Sequence, residues 1–333
     1  MKEERSLSLL QLMVNEGLVP SLEEEENRKT VIEKLKQIVV AWVKRVAWQR
    51  RLPKQDIAVT SATLLTYGSY GLGVHGSESD IDALCVGPYF ATMNLDILNP
   101  VFLRDIDETG WKSLSRVLAN TQICRLVPDL KSMLRCVKFW AKRRGVYGNL
   151  NGFLGGIHLA ILAAFVCQCD PFVGLSALIS HFFKKFAFWP WPRPVELQDE
   201  TLHPTLNPTE TRLYMPIRLP FSSYEYCHSN ITKSTFYKIR TEFLRGHNLT
   251  KDLLKFDFDW HNVLEPFPYT KKYAWFLKIF LSASKQDELG DWVGWIKSRF
   301  CCLLFKLEEV QGLCDPNPAE YIDVNIADPH VIF

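Results

Sequence analysis

Residues Tyr67 to Phe90, YGSYGLGVHGSESDIDALCVGPYF, decide how this 333-residue chain is read. Gly68 and Ser69 open a glycine-rich turn that continues through Gly71, Gly73 and Gly76. Asp80-Ile81-Asp82 follows and leads into the apolar run Ala83-Leu84-Cys85-Val86, which reads as a buried strand. Side chains two apart on a strand share a face, so Asp80 and Asp82 are expected to project together while Ile81 enters a core. Two neighbouring carboxylates repel, and they are costly to keep ionised beside apolar surroundings. A divalent cation removes that cost, and hard oxygen ligation suits Mg²⁺.

The glycine turn supplies the other half of a site. Glycine lets the backbone approach a ligand closely, and exposed N–H groups in such a turn hold phosphate oxygens. Ser69 adds a hydroxyl donor. No Gly-Lys-Ser/Thr follows, so this is not a Walker loop. An Asp-x-Asp pair alone is common and means little. Joined to an upstream Gly-Ser and a downstream apolar strand, it points to a metal–triphosphate site for nucleotidyl transfer.

The length suggests two domains or three small ones. An apolar content of 47% is ample for real cores. No apolar run is long enough to span a membrane. The first 18 residues are too charged for a signal peptide, so an intracellular protein is expected. Nine cysteines without zinc spacing read as reduced packing residues. The net charge of +2 leaves any nucleic-acid surface to local clusters. Lys44-Arg45 with Arg50-Arg51, Lys142-Arg143-Arg144 and Lys271-Lys272 are such clusters, and each also reads as an ordinary solvated helix face.

Residues 22–51 read as one long helix, acidic at its start and basic at its end, as the helix dipole favours. Val31, Leu35, Ile38, Val39, Trp42 and Val46 form an apolar stripe at helical spacing. A strand is expected over 57–67. LKSMLRCVKFWAKRRG is an amphipathic helix with Gly145 placed as its C-terminal cap. GFLGGIHLAILAAFVCQ is nearly all apolar and is expected at the centre of a helical domain. Another helix ends at Pro190 and Pro192, and a proline-rich loop covers 197–215. Further on, a helix over TKSTFYKIRTEFLRGHNLT, strand-like alternation over YTKKYAWFLKIFLSAS, and a helix running into a strand over 287–310 suggest a small mixed domain.

YGSYGLGVHGSESDIDALCVGP, LRCVKFWAKRRGVYGNLNGFLGG, LYMPI with NITKSTFYKI, and WVGWIKSRF together resemble the eukaryotic nuclear-type poly(A) polymerases, most of all the plant enzymes. The matches spread over nearly the whole chain. The resemblance implies an α+β multidomain protein. Its parts would be a nucleotidyltransferase domain over 1–100 whose N-terminal helix packs on the next domain, a central helical domain over 101–217, and an RNA-recognition-like domain over 218–333. It implies template-independent addition of AMP from ATP to an RNA 3′ end, with Mg²⁺ or Mn²⁺. By motif, Asp80 and Asp82 would bind metal and carry the catalysis. Tyr67, Gly68, Ser69 and Gly76 would line the phosphate site, Lys138 would reach the triphosphate, Tyr147 would contact the nucleotide, and Gly156 and Ile157 would approach base or ribose. It implies a monomer in the nucleus, with RNA and cleavage and polyadenylation factors as partners, and no membrane.

The chain departs from the family at one place. The family uses a third metal-binding aspartate on a neighbouring strand, and Phe90-Ala91-Thr92-Met93 here runs almost directly into Asn94-Leu95-Asp96, which in the family comes after it. Several dozen residues are expected to be missing at this seam. Asp96, Asp105 and Asp107 are the candidate substitutes. Without a third carboxylate the chain would be an inactive RNA-binding variant; with one it would be active. A uridylyl- or oligoadenylate-type enzyme is a third reading, and the extended matches argue against it. No basic tail of the kind the longer family members carry is seen in this sequence, so nuclear residence is expected from the resemblance alone.

Overall fold

The computed structural model describes residues 2–77, 79–87, 108–197, 213–221, 225–322 and 329–333. The seam at Met93 and the candidate substitutes Asp96, Asp105 and Asp107 lie outside them. The chain forms two compact units, one of Gln11–Lys131 and one of Met1–Leu10 with Ser132–Phe333. Among the described residues helices dominate, with two small antiparallel sheets, an α+β architecture.

Helix α1 (Lys2–Asn15) is followed by the long α2 (Leu22–Gln49). A capping box starts α2: Glu24 N–H donates to Ser21 Oγ at 3.2 Å, and Ser21 N–H to Glu24 Oε2 at 2.7 Å. Then come α3 (Lys54–Val59), β1 (Thr63–Tyr67), the one-turn α4 (Gly68–Gly71), β2 (Asp82–Val86) and α5 (Glu108–Leu126). The strand expected over 57–67 is therefore shorter. Pro53, with φ of −53°, starts a helical turn instead, and Ile57 N–H bonds back to its carbonyl at 3.0 Å. The buried face of α2 is Ile32, Val43 and Ala47, whereas Val31, Leu35, Ile38 and Trp42 stand exposed.

The larger unit continues with α6 (Lys131–Arg143), α7 (Gly156–Cys169), α8 (Leu175–Ala187) and α9 (Lys233–Thr250). Gly145, at φ of +62°, closes α6 as expected. Nine residues of α7 are buried, which explains its lack of a polar face. The core is aromatic: Trp140 of α6 lies 5.0 Å from Phe183 of α8 and 5.5 Å from Phe243 of α9, ring centre to ring centre. Phe183 is seated on Gly246 of α9, where a Cβ would fall 2.3 Å from the ring. The first helix joins this unit through Ser6 Oγ, which donates to Ser176 Oγ at 3.1 Å. Arg144 is not part of a basic surface. It is buried, with Nε donating to Glu242 Oε2 at 2.7 Å and Nη2 to Oε1 at 3.1 Å.

The short helices α10 (Trp260–Leu264) and α11 (Tyr269–Lys272), strand β3 (Phe280–Ser282), α12 (Gln286–Gln311) and β4 (His330–Ile332) complete the chain. β3 pairs antiparallel with β4. The alternation over 269–284 thus yields only three strand residues. The change from helix to strand expected within 287–310 does not occur, and α12 stays helical to Gln311. A short apolar run cannot be assigned by period alone. Here Leu304 is buried and Glu308 Oε1 accepts from Thr232 Oγ1 at 2.5 Å and Ser234 N–H at 2.8 Å, fastening the helix end to the start of α9. All nine cysteines are free; Cys136, Cys167 and Cys227 are buried, but Cys85, Cys124, Cys169 and Cys302 are exposed rather than packed. No described helix is long and apolar enough to cross a membrane.

Candidate active site

In the unit of Gln11–Lys131, β1 leads straight into the glycine turn and β2 returns beside it. The register sets Tyr67 opposite Asp82. Asp82 is the first residue of β2, so its carboxylate stands at the mouth of the turn. A Cβ on Gly68 would fall 2.0 Å from Asp82 Oδ2 and 3.0 Å from Cγ, closer than real contacts allow. Gly68 also has φ of +65°. Left-handed backbone and a carboxylate against the Cα both require glycine there. Ser69 is half-buried one step on, and its carbonyl accepts from Val74 N–H at 2.9 Å.

Asp80 is exposed and precedes β2 rather than belonging to it. Strand alternation therefore does not fix the two carboxylates on one face. The loop before Asp80 is positioned from α2: Arg28 Nη1 donates to Ser79 O at 2.7 Å, and Nη2 to Ser77 O at 2.7 Å and Gly76 O at 3.2 Å. Glu25 of the same helix pairs with the buried His75 Nε2 at 3.0 Å. Gly76 has nothing within 4 Å of a built Cβ and no positive φ. It is not needed for close approach in this fold, unlike Gly68 and Gly71. From α5, Asn120 Nδ2 donates to Gly68 O at 3.1 Å. Arg28, Glu25 and Asn120 were missed by the sequence reading. Arg28 and Glu25 sit in a helix dense in charge, and Asn120 in an ordinary helical pattern, so none carried a signal.

The other unit carries the remaining candidates. Lys138 lies half-buried on α6. Tyr147 forms a parallel bridge with Leu154, and its Oη is 3.5 Å from where a Gly156 Cβ would sit. Lys142 Nζ lies 5.7 Å from the centre of the Tyr147 ring. Gly156 is the exposed first residue of α7, followed by half-buried Ile157. The fold thus brings Tyr147, Gly156 and Ile157 together at a helix start, where N–H groups are free. Gly155 N–H donates to Nδ1 of the buried His158 at 3.0 Å. Burial first, and His228 second, hold the His158 imidazole down to about 4, so the ring is neutral and its proton is on Nε2. Among the described residues no group of three or more His, Cys, Asp or Glu side chains could hold a metal ion.

Residues 2–93 match the poly(A) polymerase nucleotidyltransferase domain, and residues 129–266 the poly(A) polymerase central domain. Nuclear poly(A) polymerase 3 of Arabidopsis thaliana is 53% identical over 389 positions, which cover 99% of this chain and 76% of that protein. The chain belongs to the poly(A) polymerase family. Nuclear poly(A) polymerase 2 of the same plant is 31% identical, and a poly(A) polymerase of Dictyostelium discoideum is also 31% identical. The chain spans 50% and 45% of the lengths of those two relatives. The fold is similar to a solved Cid1 poly(U) polymerase with Mg 3′-dATP bound, at a TM-score of 0.57 and 15% identity, covering 80% of this chain and 100% of that one. A cytoplasmic RNA terminal U-transferase superposes with a TM-score of 0.54 at 17% identity, covering 80% of this chain and 99% of that one.

The alignment with nuclear poly(A) polymerase 3 has 389 positions against 333 residues here, so at least 56 positions of the relative have no counterpart in this family member. The nucleotidyltransferase match also stops at residue 93.

Proposed function

We propose that this family member is a polynucleotide adenylyltransferase that adds AMP from ATP to RNA 3′ ends in the nucleus. The observation that carries the reading is the Asp82 carboxylate packed on Gly68, where β1 enters the glycine turn. Asp80 and Asp82 offer a hard oxygen donor set, which fits Mg²⁺ or Mn²⁺. When bound, such an ion neutralises the triphosphate and lowers the pKa of the attacking hydroxyl. The protein's share is positioning and fixed charge. Tyr67, Gly68 and Ser69 present backbone and hydroxyl donors to the phosphates, with Gly76 in the adjoining loop. Lys138 adds a compact positive charge. Tyr147 supplies an aromatic face beside Gly156 and Ile157 for the nucleotide. Residues 218–333 serve RNA binding, and factors of cleavage and polyadenylation are the protein partners.

A second reading has a specific observation behind it. The 56 or more missing positions and the match ending at residue 93 favour a variant that binds RNA without extending it. Purified protein with an RNA primer, each nucleoside triphosphate separately and Mg²⁺ or Mn²⁺ separates the two. Extension with ATP alone, lost in Asp82→Ala, supports the first. RNA binding without extension supports the second, and extension by UTP would overturn both.

A further inference from the structure

Strand pairing with Tyr67 and contact with Gly68 fix Asp82, but Asp80 precedes the strand and is exposed. The turn just before Asp80 is tightly built. Ser79 N–H donates to Gly76 O at 3.1 Å, and Gly76 N–H to Ser79 Oγ at 2.9 Å, which closes residues 76–79 on themselves. The carbonyls of Gly76, Ser77 and Ser79 converge on one half-buried side chain, the Arg28 guanidinium, at 3.2, 2.7 and 2.7 Å. Bonds from an ionised donor are roughly twice as strong as neutral ones. A planar fork with five donors serves three carbonyls at once, which a lysine ammonium on a flexible stem does poorly. Glu25, one turn earlier on α2, pairs with the buried His75, whose ring lies 4.8 Å from that of Tyr70 in the glycine turn. Ile32, one turn later, is buried and seats the helix. One face of α2 thus holds both the glycine turn and the turn that delivers Asp80.

We infer that Arg28 is a positioning residue: it sets the Asp80 carboxylate relative to Asp82, so that the two serve as one donor set for a divalent cation. This role rests on the catalytic reading of Asp80 and Asp82. Without the guanidinium, three carbonyls lose their shared donor and Asp80 loses its fixed approach. The pairing of β1 with β2, and Asp82 with it, does not depend on Arg28.

Mn²⁺ uptake by the full chain with ATP present, read from the loss of the free-Mn²⁺ electron paramagnetic resonance signal, tests the role without requiring turnover. Arg28→Gln should weaken uptake roughly 10- to 100-fold, the usual cost of removing a group that orients a metal ligand. Arg28→Lys keeps the charge and should still lose several-fold; if Arg28→Gln fails to fold, this variant decides. Lys29→Gln removes the same charge from an exposed neighbour and should leave uptake at the wild-type level. In an Asp80→Ala background Arg28→Gln should change nothing further, because no carboxylate is left to position. Wild-type uptake in both Arg28 variants, an equal loss in Lys29→Gln, or a full further loss on top of Asp80→Ala would overturn the role. Asp82→Ala separates the two levels. Loss there with the Arg28 variants unaffected overturns the positioning role alone. Wild-type uptake in Asp82→Ala, or no uptake by the wild type, overturns the catalytic reading and the role with it.

Discussion

Replacing Gly68 by alanine separates a structural turn from a working one. At φ of +65°, an alanine costs about 1–2 kcal/mol in left-handed strain. Restricting the unfolded chain returns about 0.4–1 kcal/mol. The global stability loss is therefore only about 1 kcal/mol. The local effect is larger, because the new Cβ would lie 2.0 Å from Asp82 Oδ2 and the carboxylate must move by about an ångström to clear it. A misplacement of that size costs roughly 100-fold in a reaction that depends on alignment. Guanidinium unfolding followed by circular dichroism reads the first number. The rate of ATP-dependent primer extension reads the second; if extension is absent, the affinity for metal–ATP by calorimetry takes its place. Gly76→Ala is the control, with open space around it, and should change stability by less than about 0.5 kcal/mol. A Gly68→Ala protein with wild-type stability and wild-type nucleotide handling would show that Asp82 is not held against the turn, and the site would be misassigned.

Gly246→Ala should destabilise the larger unit by about 1–2 kcal/mol in denaturant, since driving a methyl into the Phe183 ring outweighs a gain of about 1 kcal/mol in helix propensity; adding Phe183→Leu should recover most of the loss. His158 is held down to about 4 from 6.5, so the unfolded chain binds the proton first as the pH falls. Stability should be complete above pH 6.5 and decline by about 3 kcal/mol towards pH 4, and His158→Gln should flatten that slope in pH-dependent melts. Asp315→Asn should cost about 3 kcal/mol in chemical unfolding, because it strands the buried Lys238 ammonium now paired with Asp315 at 2.5 Å.

Lys238 also shows how a site can be invisible in sequence. It reads as an ordinary helix lysine, yet its Nζ donates to Tyr269 Oη at 2.6 Å and lies 4.2 Å from the centre of the Phe267 ring. Burial drives it down to about 8 while Asp315 opposes the shift. Partners separated by 31 and 77 residues leave no local pattern to read.

Local spacing alone was enough to locate the glycine turn, the carboxylate of Asp82 at the head of a strand, the two helices that flank FLGG and the long charged α2, because each depends on backbone preference or period within a few residues. A break in an otherwise continuous family pattern was legible too, and the Arabidopsis relative has at least 56 positions without a counterpart here. Tertiary structure decided the rest. It placed Asp80 before the strand rather than in it, left Gly76 in open space, buried Arg144 against Glu242 and turned one apolar stripe of α2 outward. Those outcomes depend on which distant side chain arrives at each position, and hydrophobic period reports that a face is apolar without saying what covers it.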